Sequence, residues 1–302
     1  MASTTYILCP GQGAQAVGMG KAFFDKSDAA KSLFGQADAI LGFSLSDLCF
    51  NGPEDRLNQT DISQPALYVA GVASYRSAVE DGVVDPAAVT AFAGLSLGEY
   101  TALHLAGVFS FEDGLKLVAA RGAAMQEAAV AVPSGMVAIM GADEAAINTL
   151  CDEARGDDVL VPANYNAPGQ IVVSGSTSAC ERALKAAEAK GLKAVALKVA
   201  GAFHSPIMQP GADKMKSELD KAIFSAPAKP VFSNVTAEEH TDIESIKRLL
   251  VEQIVSPVRW EQTMVKIAAV PEARFVELAP GRTLAGLAKR INRRLPVESL
   301  GA

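Results

Sequence analysis

Two short, uninterrupted apolar runs, Thr4 to Cys9 and Val89 to Ala93, have the length and continuity of buried strands. The first ends in the glycine-rich loop Pro10 to Gln15, and the second in the turn Gly94-Leu95-Ser96-Leu97-Gly98, followed by a proline-free stretch of helical character. Between them, Lys21 to Leu41 reads as a helix interrupted at Gly35. Ser44 to Thr60 reads as irregular, with Asn51-Gly52-Pro53 as a turn signal, and Gln64 to Glu80 as a helix with Pro65 near its first turn. Ser110-Phe111-Glu112-Asp113 has the form of a capping box and predicts a helix to about Ala129. Its apolar stripe is Leu115, Val118, Gly122 and Met125, and Arg121 falls on the border of that stripe. An arginine there is expected to be partly buried and to need an anion.

The pattern then changes. Strand-like runs at Met136–Met140, Val159–Ala163, Gln170–Ser174 and Lys193–Val199 alternate with helix-like runs at Asp143–Ala154 and Ser176–Lys190. The order βαββαβ is ferredoxin-like and predicts a small subdomain over 131–199. Residues 1–130 and 200–302 then form a larger α/β core, to which Pro230–Val235 and Arg274–Leu278 return as strands followed by helical sequence.

Composition narrows the class. At 302 residues, 49% hydrophobic and 20% charged, the chain can bury a large core and is not disordered. No apolar run approaches the ~18 residues of a spanning helix, and the leading residues carry no basic and apolar signal pattern. A soluble, intracellular protein is expected. The net charge of −7 argues against general binding to nucleic acid or anionic membrane. The four cysteines show no C-x-x-C spacing and no neighbouring histidine pair, so no metal site is expected.

The G-x-S-x-G turn between strand and helix is where a nucleophilic serine can stand clear of a sheet, with free helix N–H groups aimed at the same space. A plain βα turn is the alternative, and a base must be found to separate the two. There are three histidines. His104 is eight residues along the same helix, ~12 Å of rise from Ser96 and out of reach. His240 lies in the polar segment Glu238-Glu239-His240-Thr241-Asp242 and is expected to be solvated. His204, in Gly201-Ala202-Phe203-His204-Ser205-Pro206, is left as the base. No acidic residue stands out as a third member, so a dyad oriented by a backbone carbonyl and a full triad are both open.

Several separated motifs then converge. PGQGAQ at 10–15, GLSLGEY at 94–100, RGAAMQ at 121–126, NAPGQ at 166–170, GAFHS at 201–205, SPVRW at 256–260 and ELAPG at 277–281 follow one another in an order that resembles the malonyl-CoA:acyl carrier protein transacylases of type II fatty-acid synthesis. The resemblance covers essentially the whole chain. It implies an α/β-hydrolase-like core with a mostly parallel sheet and a ferredoxin-like insert. It implies Ser96 as the acylated nucleophile and His204 as general base and then acid. It also implies an oxyanion hole from the N–H groups of Gln12 and Leu97, and Arg121 as the partner of the malonyl carboxylate. Gln253 joins Arg121 at the substrate site, its backbone carbonyl orienting the histidine. No cofactor beyond malonyl-CoA as substrate is implied.

The segment around His204 is similar to the version associated with malonyl rather than methylmalonyl transfer. Leu95 stands where many members have histidine, as in forms from plastids and some bacteria, so plastid stroma or bacterial cytoplasm is the expected compartment. Ala279 replaces a commoner glycine. A monomer is expected, and the partner is an acidic acyl carrier protein. A helix over Thr283 to Arg294, with Leu284, Leu287, Ala288 and Ile291 inward and Lys289, Arg290, Arg293 and Arg294 outward, offers a basic face for it. A hydrolase on the same serine and a silent carrier-binding scaffold are the rival readings; the intact Ser96, His204 and Arg121 set argues against the scaffold.

Overall fold

Strand β1 (Thr5–Cys9) is buried at every residue because it has a core on each side. Ile7 and Cys9 enter one apolar cluster, and Tyr6 and Leu8 enter another. The period-two alternation of a strand therefore sorts two hydrophobic sets onto two faces, and the sequence reads as one unbroken apolar run. The same sorting places Phe92 of β2 (Val89–Gly94) on one face and Ala91 and Ala93 on the other. The computed structural model describes residues 4–301; residues 1–3 and 302 of the expected core range lie outside the described residues.

Two sheets organise the chain. The second sheet is built from β3 (Ser134–Met140), β4 (Leu160–Ala167), β5 (Gln170–Ser176) and β6 (Lys193–Ala196), in the order β4-β5-β3-β6, and every pairing is antiparallel. Helices Glu144–Arg155 and Thr177–Ala189 pack against it and close a small apolar core of their own. With β7 (Arg274–Glu277) and β8 (Val297–Ser299), the first sheet runs in the order β2-β1-β7-β8, with all pairings parallel. This is an α/β fold with one parallel and one antiparallel sheet. An isolated bridge between Asn164 and Val258 joins β4 to the segment before helix Trp260–Ala268.

Helices Thr60–Glu80 and Phe111–Ala131 pack on each other and share the apolar cluster that holds Ile7, Cys9 and Phe92 of the parallel sheet. The second is capped as its capping box predicts, with Ser110 Oγ accepting from Asp113 N at 3.0 Å. Leu115, Val118, Gly122 and Met125 are buried in its stripe, and a Cβ on Gly122 would stand 2.7 Å from the Thr60 carbonyl oxygen. That glycine lets the two helices approach closely.

Four local expectations are corrected. The break in Lys21–Leu41 is at Ser27, whose Oγ accepts from Ala30 N at 3.0 Å and caps helix Asp28–Leu41; Gly35 lies inside that helix. Residues 44–60 are not irregular, because Ser44 caps helix Leu45–Asn51 and a short helix Glu54–Leu57 follows. Pro230–Val235 is no regular strand. It meets β2 through a single bridge at Phe92, with Phe92 N donating to Pro230 O at 2.9 Å and Phe232 N to Phe92 O at 3.2 Å. The last helix ends at Ile291, so Arg293 and Arg294 follow it in a turn.

All four cysteines are free and buried, and burial pushes the Cys49 and Cys151 thiols up to about 12. Among the described residues no helix is long and apolar enough to cross a membrane.

Candidate active site

The site forms where the loops leaving β1 and β2 meet. Backbone packs directly on backbone there, which only glycine permits. A Cβ on Gly98 would stand 2.1 Å from the Cys9 carbonyl oxygen, one on Gly94 2.0 Å from the Gly98 carbonyl, and one on Gly11 2.2 Å from the Leu95 carbonyl oxygen. The glycines flanking Ser96 and the glycine before Gln12 thus lock the two loops together.

Ser96 sits in the left-handed region, with φ 52°. Such a conformation costs about 1 kcal/mol or more for a residue with a side chain and persists only where neighbours impose it. Here Asn234 does so. Its Oδ1 accepts from Ser96 N at 2.5 Å, and its Nδ2 donates to Gly94 O at 2.6 Å. The next residues begin helix Gly98–Leu105. Among the described residues, neither the Gln12 N–H nor the Leu97 N–H donates a hydrogen bond, so both are free at the loop junction beside Ser96.

His204 follows β6 and also adopts a positive φ, 58°. Its Nε2 faces Ser96 Oγ at 2.9 Å, and its Nδ1 faces the Gln253 carbonyl oxygen at 2.7 Å. A carbonyl only accepts, so Nδ1 carries the proton and Nε2 is left with a lone pair toward the hydroxyl. Burial pushes the His204 pKa down to about 4, with the Arg121 charge adding to the effect and the Gln253 carbonyl opposing it. The imidazole is therefore neutral at pH 7. Of the two arrangements open in the sequence, the structure has the one with a carbonyl behind the histidine.

Arg121 is 1% exposed and makes no ion pair among the described residues. Its Nη1 donates to Gln64 Oε1 at 2.7 Å. Its Nη2 donates to Gln253 Oε1 at 2.8 Å and to Ser96 Oγ at 3.1 Å. Its Nε has no partner, and the Tyr100 ring lies 5.5 Å from Cζ. A buried guanidinium held only by neutral oxygens, one of them the Ser96 hydroxyl, is suited to take an anion.

The arrangement has the parts that acyl transfer through a serine requires: a hydroxyl facing a neutral imidazole, two N–H groups without partners among the described residues, and a buried cation. The acyl transferase domain family matches residues 5–298. The chain belongs to this family. Over 290 residues it is 42% identical to the malonyl CoA-acyl carrier protein transacylase of Bacillus subtilis, covering 95% of this chain and 90% of that protein. The solved malonyl CoA-acyl carrier protein transacylase of Coxiella burnetii is 38% identical, with a TM-score of 0.95 over 100% of this chain and 95% of that one. A malonyl-transacylase solved in complex with its type II PKS acyl-carrier protein is 37% identical, with a TM-score of 0.91 over 99% of this chain and 96% of that one.

The structure brings together Ser96, His204, Arg121 and Gln253, with the Gln12 loop and Leu97 at the serine turn. His104 is buried among Tyr68, Phe109 and Phe111, and its Nδ1 faces Phe109 O at 3.0 Å. His240 departs from expectation. It is buried, not solvated, because His240 N donates to Val231 O at 2.9 Å and draws the segment back against the core. Its Nε2 lies 2.8 Å from Glu99 Oε1. Sequence reading also passed over Gln64, Glu99 and Asn234. Glu99 had a signal, since it is the one Asp, Glu, Lys or Arg in the helix that follows the serine turn.

Among the described residues, no group of three or more His, Cys, Asp or Glu side chains could hold a metal ion.

Proposed function

We propose that the protein transfers the malonyl group from malonyl-CoA to the phosphopantetheine thiol of an acyl carrier protein through a malonyl ester on Ser96. The observation that carries this reading is Arg121: fully buried, without a carboxylate partner, and 3.1 Å from the Ser96 hydroxyl oxygen. The names of the relatives support the same assignment.

The steps follow from the atoms present. Ser96 Oγ attacks the thioester carbon as its proton passes to His204 Nε2. The tetrahedral oxyanion accepts from the N–H groups of Gln12 and Leu97. Collapse breaks the C–S bond, and the CoA sulfur leaves with the proton from His204. The carrier thiol then gives its proton to His204 and attacks the ester, returning Ser96 to its starting state. Arg121 holds the distal carboxylate throughout, so an acetyl group would leave a buried cation unpaired.

The ferredoxin-like description suits residues 131–199, and a hydrolase-like description suits the remainder. The antiparallel order β4-β5-β3-β6 with two helices supports that division. The site then lies where the chain returns to the core at His204. Lys289, Arg290, Arg293 and Arg294 are exposed, while Leu284, Leu287 and Ala288 are buried and Ile291 is half-buried. Lys289 and Arg290 end the last helix and Arg293 and Arg294 lie in the turn after it, and we assign this basic face to the acidic carrier. The protein acts as a monomer, without a cofactor, in bacterial cytoplasm or plastid stroma.

Incubation with malonyl-CoA followed by intact mass measurement tests the reading. A malonyl adduct is expected on the native protein and none on Ser96→Ala. Rapid release of free malonate with no adduct would instead make the protein a hydrolase.

A further inference from the structure

We propose that Glu99 is a positioning residue that fixes the orientation of the Gln253 carboxamide, and through it the Arg121 guanidinium that selects the acyl group. This rests on the reading of Arg121 as the carboxylate partner. Glu99 touches no reacting atom and is completely buried.

A buried glutamine carboxamide can sit in either of two orientations, with oxygen and nitrogen exchanged, so its neighbours must choose. The two nearest acceptors at one end of the Gln253 carboxamide are Glu99 Oε2 at 2.7 Å and the Ser96 carbonyl oxygen at 3.1 Å, with Asn234 Oδ1 beyond them at 3.5 Å. Only the NH2 group can satisfy both. The oxygen is thereby turned toward Arg121 Nη2, at 2.8 Å. In the opposite orientation, an NH2 group would face the guanidinium and Arg121 would lose one of its three oxygen partners.

Glu99 is itself held from two further directions. Asn234 N donates to Oε2 at 3.0 Å, and His240 Nε2 meets Oε1 at 2.8 Å. Asn234 is the residue that receives the Ser96 N–H. One buried carboxylate therefore anchors both the support of the nucleophile and the support of the selecting cation. His240 closes the far side of the carboxylate, which accounts for a buried histidine away from the reaction.

The test compares loading of Ser96 from malonyl-CoA and from acetyl-CoA. Glu99→Met keeps the volume and removes the acceptor. The malonyl-to-acetyl ratio of kcat/KM is expected to fall about tenfold, the effect of one lost hydrogen-bond partner to a charged group. Gln253→Met should lower the ratio similarly, and the double variant should fall no further than either alone. Glu99→Gln is expected to retain the ratio, because its oxygen can face Gln253 while its NH2 faces His240 Nε2 as acceptor.

A merely structural Glu99 would lower both rates together and leave the ratio unchanged, and that result overturns the proposal. Additive losses in the double variant, or a Glu99→Gln ratio as low as that of Glu99→Met, also overturn it. Should Glu99→Met fail to fold, an unchanged ratio in Gln253→Met is sufficient to overturn it and a lowered ratio supports it. Arg121→Ala is the control for the underlying reading. If it leaves the ratio unchanged, the carboxylate role of Arg121 fails, whatever Glu99 does.

Discussion

Arg121 Nη2 lies 3.1 Å from Ser96 Oγ, on a helix far from the serine turn in sequence, and the two groups share a hydrogen bond with no carboxylate between them. The proposed nucleophile and the proposed carboxylate partner are thus in contact before any substrate arrives. On the proposed reading, substrate selection and acyl transfer share one volume.

Arg121→Ala removes the cation and leaves Ser96, His204 and the loop donors in place. Malonyl transfer is expected to fall about 100-fold or more, the scale of a lost buried ion pair. Acetyl transfer is expected to be kept or raised. Steady-state kinetics with both CoA esters decides it, and equal loss of the two would remove the carboxylate role.

The pH profile should report a depressed histidine. With the His204 pKa at about 4 in place of 6.5, the base stays neutral and loading should hold level down to about pH 5. An acid limb centred near 6.5 would contradict this. The same shift bears on stability. Between about 6.5 and about 4 the unfolded imidazole binds a proton that the folded one does not. Stability therefore falls as pH drops through that window, by about 1.4 kcal/mol per unit, with no further loss from this group below it. Urea unfolding of the wild type against His204→Gln isolates the contribution.

Backbone strain at Ser96 gives a comparison between two inactive variants. Ser96→Ala and Ser96→Gly both lose the hydroxyl, but only alanine keeps a Cβ at φ 52°. The glycine variant is expected to be more stable by about 1 kcal/mol, although glycine in an unstrained position would be the less stable of the two. Equal midpoints in urea would mean that the turn holds no strain.

Gly11→Ala places a Cβ 2.2 Å from the Leu95 carbonyl oxygen and must push the two loops apart. If the Gln12 N–H serves the oxyanion, kcat should fall about 100-fold with little change in KM for malonyl-CoA. Unaltered kcat in a folded variant would place the oxyanion elsewhere.

Charge reversal at Arg290 and Arg293 is expected to raise KM for the carrier protein, most strongly at low salt, and to leave loading from malonyl-CoA unchanged. Carrier kinetics indifferent to both changes would move the docking surface away from this basic segment.

Much of the site was legible in local sequence because its parts are backbone devices. Gly94, Ser96 and Gly98 specify a strained turn between a strand and a helix, and Ser110 with Asp113 specifies where the next helix starts. With three histidines in the chain, distance along a helix excluded His104, and the family motifs pointed to the rest. Periodicity placed Arg121 at the edge of a buried stripe, which is a statement about one helix and needs no tertiary contact.

The tertiary structure decided what separate segments do to one another. His240 looked solvated because its neighbours are polar, yet one backbone hydrogen bond to Val231 turns it inward to Glu99. Asn234 gives no signal in sequence and Gln253 stands out only through the family resemblance; each stands behind its partner, Ser96 or His204, across more than a hundred residues or tens of residues of chain. Residues 230–235 have a strand's composition but only one bridge to a neighbouring strand, and pairing is a property of two segments. Local sequence determines which conformations each segment prefers. Which polar atoms become buried together, and so must satisfy one another, is settled only when the segments pack.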